Sequence, residues 1–239
     1  YFDDTYWLNG VTKEYTGYCT DRFFDWGIDF VTRHKDEPFF LYIATNVPHG
    51  PYFVDEKYSD PYREKGVPGS MANFYGMLEN FDENMGRLVA KLDELELADD
   101  TILIFTTDNG TAAGVARGRG GNDKWNGFNA GMRGQKGSEY DGGHRVPFFI
   151  RWPKRIKAGK DIDALTAHID VLPTLVSLCG IALPEEADID GKSLVPLIDG
   201  KAWKERTLVV HSQRIEQPEK WRKSAVMTDR WRLENGKEI

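Results

Sequence analysis

The chain has 239 residues, 40 % hydrophobic and 13 % aromatic, enough apolar material for a packed core, which excludes wholesale disorder. A net charge of −7 and a pI near 5.3 argue against non-specific nucleic-acid binding, which calls for a basic surface. The longest apolar run, residues 39–44, is far too short to span a bilayer, and Cys19 and Cys179 have no zinc-ligand spacing, so a disulfide scaffold and a cysteine-based zinc site are excluded too. Whether these two thiols pair with each other stays open.

In chain order, Thr20 is placed to cap a helix with an apolar face of Phe23, Phe24, Ile28 and Val31. Pro38 opens a strand over 39–45, apolar on both faces as inside a parallel sheet. A polar stretch rich in Tyr, Pro and Lys follows over 48–68. The clearest helix covers 70–97, where Met71, Phe74, Leu78, Phe81, Met85, Leu88, Leu92 and Leu95 recur at steps of three and four. Asp99-Asp100 ends it, and a strand runs over 101–107. The glycine-rich chain from 110 to 143 is too long and polar for a simple connector. A second two-sided apolar strand spans 146–152, and helices are expected over 169–178 and 193–197.

Strands separated by helices predict an α/β fold with a mostly parallel sheet flanked by helices. Near Trp203 the pattern changes to antiparallel strands over 223–228 and 230–233, followed by the type I′ signal Asn235-Gly236. The expected division is an α/β part, 1–202, and the start of a small antiparallel C-terminal subdomain, 203–239. An opening at Tyr1 without a leader, and a return strand cut off after Ile239, make the sequence read as a fragment lacking residues at both ends.

Ligands in open parallel sheets bind just past the carboxyl ends of strands. After the first strand comes Asn46-Val47-Pro48-His49-Gly50-Pro51, and after the second Asp108-Asn109-Gly110. Before the third stands the run from Arg133-Gly134-Gln135-Lys136-Gly137-Ser138 to Gly143-His144-Arg145. Each has a plain alternative: a common turn or a glycosylation acceptor at Asn109-Gly110-Thr111, a loop histidine, a solvated lysine. Taken together, Asp108 and Asn109 offer one anionic and one neutral oxygen, which suits Ca²⁺ or Mg²⁺ rather than zinc. His49, Lys136 and Arg145 supply donors for an anion beside that cation, the arrangement needed to stabilise a transferring oxyanion.

These stretches resemble the sulfatase family, formylglycine-dependent sulfuric ester hydrolases of the alkaline-phosphatase-like superfamily. The matching residues are Pro38-Phe39-Phe40-Leu41-Tyr42 with Pro48-His49, Thr107-Asp108-Asn109-Gly110, and Arg133-Gly134-Gln135-Lys136-Gly137-Ser138 with Gly143-His144-Arg145-Val146-Pro147. Asp170-Val171-Leu172-Pro173-Thr174-Leu175 and Asp190-Gly191-Lys192-Ser193-Leu194 complete the series, in the family's order and over nearly the whole chain. The resemblance implies that Asp108 and Asn109 are two ligands of a single Ca²⁺, that His49 and Lys136 contact sulfate, and that Arg145 is supportive. It further implies a sulfated small molecule or carbohydrate as substrate and an extracytoplasmic location.

The family's nucleophile, a formylglycine made from Cys or Ser in Cys/Ser-x-Pro-x-Arg, lies upstream of everything matched here. Neither Cys19 nor Cys179 has that context. Ser59-Asp60-Pro61-Tyr62-Arg63 matches by letter but follows the His49 loop, where the family has no nucleophile. The chain is therefore expected to be inactive alone. Two other readings stay open: a phosphomonoesterase or phosphodiesterase of the same superfamily, for which Asn109 stands where a second-metal histidine is needed, and a non-catalytic binding protein on this fold. His144 is either a substrate contact or a support. Arg117, Arg119, Lys124 and Trp125 form either a wall for an anionic sugar or a solvated basic loop. If the wall reading holds, replacing Arg117 and Arg119 in the complete enzyme raises KM for polysulfated glycans, and an unchanged KM contradicts it.

Overall fold

A computed structural model describes residues 1–112 and 128–237. It opens with a hairpin of β1 (Thr5–Leu8) paired antiparallel to β2 (Val11–Glu14). Asn9 and Gly10 join them with φ of 49° and 83°, the double left-handed turn whose twist suits paired strands. In α1 (Cys19–Arg33), Thr20 does not cap the helix. The cap position is Tyr18, without a side-chain bond, and Thr20 is buried in the first turn. The buried face is Thr20, Phe24, Gly27 and Val31, whereas Phe23 and Ile28 are only partly covered.

Residues 39–45 run extended along α1. Leu41 and Ile43 press on Gly27, where an added Cβ would come within 2.8 Å of Ile43 Cδ1. The alternate residues Phe40 and Tyr42 are 76 % and 79 % exposed. The side-chain alternation is that of a strand, but no ladder partner exists among the described residues, so the expected strand is not formed here. Apolar character can mark an extended segment; only a neighbour's hydrogen bonds make it a strand.

The polar stretch hides a helix, α2 (Glu56–Glu64), started by Asp55 accepting from Lys57 N at 3.0 Å. Its Tyr58 and Ser59 are buried against α3 (Gly69–Glu94). Gly76 permits that approach, since a Cβ there would lie 3.0 Å from Ser59 N. Along α3 the predicted stripe is interrupted by a polar strip: Asn80 and Asn84, both buried, donate to Asp21 Oδ1 of α1 at 2.8 and 2.7 Å. Phe81 joins three elements, 5.5 Å from the Phe24 ring of α1 and 5.7 Å from Phe105 of β3 (Leu103–Thr106).

After β3 come a one-turn helix, α4 (Asp141–His144), and β4 (Phe148–Arg151), which pairs antiparallel to β3 with Phe105 opposite Phe149. Every ladder among the described residues is antiparallel, so the mostly parallel sheet expected from the sequence is not what these ladders show. A parallel return needs a crossover, and the described part of the connection from 107 to 147 offers only the single turn of α4. A tight helical turn, His168–Asp170, leads into α5 (Val171–Cys179), which stops at Gly180 with φ 66°. After α6 (Val195–Ile198), strands β5 (Leu208–His211), β6 (Ser224–Met227) and β7 (Arg232–Glu234) form an antiparallel sheet in the order β5-β6-β7. Asn235 and Gly236 follow with φ of 52° and 68°, as the turn signal required. No helix among the described residues is long and apolar enough to cross a membrane.

One buried ion pair ties the second half together. Asp170 is fully buried and accepts from Arg206 Nη1 at 2.7 and 2.8 Å through its two oxygens. The same carboxylate takes Ala167 N and Lys192 N, each at 2.8 Å. Gly191 lies so close to this turn that a Cβ would sit 1.8 Å from Ile169 O. Arg206→Ala leaves the carboxylate buried without its cation, so unfolding stability in urea is expected to fall by roughly 3–5 kcal/mol. A loss below about 1 kcal/mol, the range of an exposed pair, would contradict this assignment.

Candidate active site

Three backbone segments meet at the C-terminal end of β3, and glycines make the meeting possible. Gly110 N donates to Gly143 O at 3.0 Å, and a Cβ on Gly110 would lie 2.0 Å from Gly142 O. Gly142 N donates to Arg133 O at 2.8 Å, and Lys136 N donates to Thr111 O at 2.9 Å. Side chains at 142 and 143 would lie 2.1 Å from Gly134 O and 2.3 Å from Ser138 O. Gly134 and Gly137, with φ of 78° and 85°, bracket Gln135-Lys136 in a conformation open to glycine. Asp108, Asn109, Lys136 and the start of Arg145 thus belong to one backbone cluster.

Three polar groups of this cluster have no partner among the described residues. Thr107 Oγ1 donates to Asn109 O at 3.1 Å, and Asn109 Nδ2 donates to Gly110 O at 3.0 Å. This fixes the amide so that Oδ1 is the atom left without a partner among the described residues. The Asp108 carboxylate is exposed, and it has neither a hydrogen bond nor an ion pair there. The half-buried Lys136 ammonium has none either. Arg145 is exposed and held through its backbone, N to Asp141 O at 2.7 Å. Two adjacent free oxygens, one charged, fit part of a hard-cation shell, which takes six to eight. No group of three His, Cys, Asp or Glu residues is placed to hold a metal among the described residues, so the pair accounts for part of such a shell only.

His49 stands apart. Its ring Nδ1 is 2.7 Å from Gly50 O, which makes Nδ1 the protonated nitrogen and leaves Nε2 open. The loop is held by His49 N to Asn46 O and by the Tyr1 hydroxyl to His49 O, both 2.7 Å. No hydrogen bond or ring contact among the described residues joins this loop to the Asp108 turn.

Other candidates sort themselves by burial. Ser59 is fully buried inside α2, its Oγ 3.5 Å from Glu56 O, so it is closed to any substrate. Cys19 and Cys179 are free thiols. Cys19 is buried, and burial pushes its pKa up, away from a reactive thiolate. His144 is half-buried, with Nε2 accepting from Arg232 Nη1 at 2.9 Å; it acts as a support within the fold. Arg117, Arg119, Lys124 and Trp125 lie outside the described residues. Sequence reasoning missed His168, whose Nε2 donates to Thr107 O at 2.8 Å and steadies the turn that carries Asp108 and Asn109. Its place two residues before the buried Asp170 was the only signal for it.

The fold is that of alkaline-phosphatase-like sulfatases. The protein Ps i-CgsB, solved in complex with k-i-k-neocarrahexaose, superposes with a TM-score of 0.77 over 94 % of this chain and 47 % of its own, at 27 % identity. The Sulfatase family model matches residues 2–181, and a model described as N-sulphoglucosamine sulphohydrolase, C-terminal, matches 135–235. The chain belongs to the sulfatase family. Human steryl-sulfatase is 35 % identical over 173 residues, 72 % of this chain and 28 % of that protein. An N-acetylgalactosamine-6-O-sulfatase of Bacteroides thetaiotaomicron is 34 % identical over 183 residues, 76 % of this chain and 34 % of that protein. The chain therefore spans about a third of the length of these curated relatives.

Since a methyl at position 110 has nowhere to go, Gly110→Ala is expected to lower stability by about 1–3 kcal/mol through overpacking. It should also unprotect the Gly110 and Lys136 amides in hydrogen exchange. Unchanged protection of both would contradict the close-packed junction.

Proposed function

We propose that the complete protein hydrolyses sulfate esters with a single Ca²⁺, and that residues 1–239 supply half of the metal site and half of the sulfate pocket. Asp108 and Asn109 Oδ1 are two of the metal ligands, His49 Nε2 and the Lys136 ammonium bind sulfate, and Arg145 supports them. The observation that carries this reading is the glycine junction, which brings together the backbone segments bearing a carboxylate, a carboxamide oxygen and an ammonium that have no partner among the described residues. When bound, Ca²⁺ would withdraw charge from the sulfate oxygens. Lys136 would donate to a sulfate oxygen and to the leaving oxygen as its charge develops, and His49 would orient the group through Nε2. The attacking hydroxyl is assigned to a hydrated formylglycine that residues 1–239 do not contain.

The substrate class is a sulfated carbohydrate or a sulfated small molecule. The first is supported by the relative named N-acetylgalactosamine-6-O-sulfatase and by the neocarrahexaose complex of Ps i-CgsB, the second by steryl-sulfatase. The reading also places 39–45 and β3 in a mostly parallel sheet of the complete protein, consistent with the bare outer side of Phe40 and Tyr42. The extracytoplasmic location rests on family resemblance.

The test is turnover of an aryl sulfate and an aryl phosphate by the complete protein with Ca²⁺ and with a chelator. Sulfate turnover that needs Ca²⁺ is expected, with Asp108→Ala and Lys136→Ala each lowering kcat/KM by about 10²–10³. A strong phosphate preference, or no catalysis by the complete protein, would replace the reading with a phosphoesterase or a binding protein. Residues 1–239 alone are expected to turn over nothing. Activity of that piece, abolished by Ser59→Ala, would overturn the account of the nucleophile.

A further inference from the structure

The loop that carries Lys136 is gripped from the far end of the chain. Arg232 of β7 donates through Nη1 to His144 Nε2 at 2.9 Å and to the Glu139 carbonyl at 3.3 Å, and through Nη2 to the Asp141 carboxylate. Just beyond β7, Asn235 Nδ2 donates to Glu139 Oε1 at 2.6 Å. Arg133, stacked 3.7 Å over the Tyr140 ring and bonded to its hydroxyl at 2.8 Å, lies 3.5 Å from Glu234 Oε2. Lys136 lies between these attachments, its loop bound to β7 at 133, 139, 141 and 144.

The chemistry of the grip asks for arginine. One planar guanidinium serves three acceptors lying in different directions, which a lysine ammonium on a flexible stem does not reproduce. Because a guanidinium only donates, its 2.9 Å contact requires His144 Nε2 to accept, with the imidazole neutral and its proton on Nδ1; Nε2 also lies 3.2 Å from the Glu139 carbonyl oxygen, which can take an Nε2 proton only once the ring is charged. Burial, and next the Arg232 charge, push the His144 pKa below its ordinary 6.5, while the Glu139 carbonyl and Asp141 pull it back. The charged groups around the ring are Arg232 and Glu234 from β7, Asp141 from α4, and Arg133 and Glu139 from the loop.

We propose that Arg232 is a positioning residue for the Lys136 loop, acting through Glu139, Asp141 and His144, so that the C-terminal strand sets where Lys136 is presented to a tetrahedral anion. The last clause rests on the proposed sulfatase reading; the grip itself does not. Its pH sign follows from the tautomer. With the folded pKa lowered, the grip is complete above about 6.5 and is lost as pH falls from there through the folded value, because an imidazolium then faces the guanidinium.

The test uses the complete protein with Arg232→Met, Arg232→Lys and His144→Gln, whose amide oxygen can still accept from Arg232 but does not titrate. Hydrogen-exchange protection over 133–145 is expected to fall at least about tenfold in the Met variant, the scale of a charged hydrogen bond, with α1 and α3 unchanged. The Lys variant should fall in between. Wild-type protection should decline below pH 6.5, and that of His144→Gln should stay flat. Turnover of an aryl sulfate should lose kcat/KM in the same order, Met more than Lys. Protection in folded Arg232→Met or Arg232→Lys equal to wild type, or an acid decline that persists in His144→Gln, would overturn the proposal and leave the sulfatase reading standing. If the wild type turns over no sulfate ester, that reading fails, and exchange and pH response still decide on Arg232. Should the Met variant not fold, the Lys and Gln variants carry the decision.

Discussion

The candidate site depends on backbone touching backbone. Gly110 meets Gly142 and Gly143, and those two meet the carbonyls of Gly134 and Ser138, at separations that no side chain could share. Two strand-end loops and the turn of α4 are thereby fused mainly through the main chain, with Thr107 Oγ1, Asn109 Nδ2 and Ser138 Oγ adding bonds to backbone carbonyls. Among the described residues the Asp108 carboxylate, Asn109 Oδ1 and the Lys136 ammonium are left without a partner, and most of the bonds that hold their loops run between main-chain amides and carbonyls. A site destined for a cation and an anion needs this division, because groups already paired with each other would have to be pulled apart before binding.

Around that unit the supports are of a different kind. His168 reaches the Asp108 turn from the Asp170–Arg206 hub, and Arg232 reaches the Lys136 loop from the C-terminal sheet. Both are polar contacts between parts of the chain far apart in sequence. The second half is thus more than an appendage: it braces the loops carrying three of the proposed functional groups, Asp108, Asn109 and Lys136. Phe40 and Tyr42 are exposed, and their segment has no ladder partner among the described residues.

What could be read from sequence alone was periodic or local. The stripe from Met71 to Leu95 located α3, which ends at Glu94 with Leu95 at its cap, and Asn235-Gly236 located its turn. Asn9-Gly10 carries the same signal and closes β1–β2, a hairpin that the reading passed over. Helix α2 was hidden because Pro61 and a run of charges look like a loop, while its two buried residues, Tyr58 and Ser59, are too few to show a period. Chain direction was not legible either, since an apolar run at 146–152 looks alike parallel or antiparallel. Asp108, Asn109 and Lys136 were singled out in the sequence as candidate cation ligands and anion donor near strand ends. Their supports were not, because a contact such as Arg232–His144 spans 88 residues and leaves no local trace.

The most direct measurement is a crystal structure of the complete protein with Ca²⁺ and a slowly turned-over sulfate ester, the metal located by anomalous scattering. The account predicts one ion about 2.3–2.6 Å from the Asp108 carboxylate and Asn109 Oδ1, with the sulfate within hydrogen-bond reach of Lys136 Nζ and His49 Nε2. A metal bound elsewhere, or a sulfate seated away from Lys136, would contradict it.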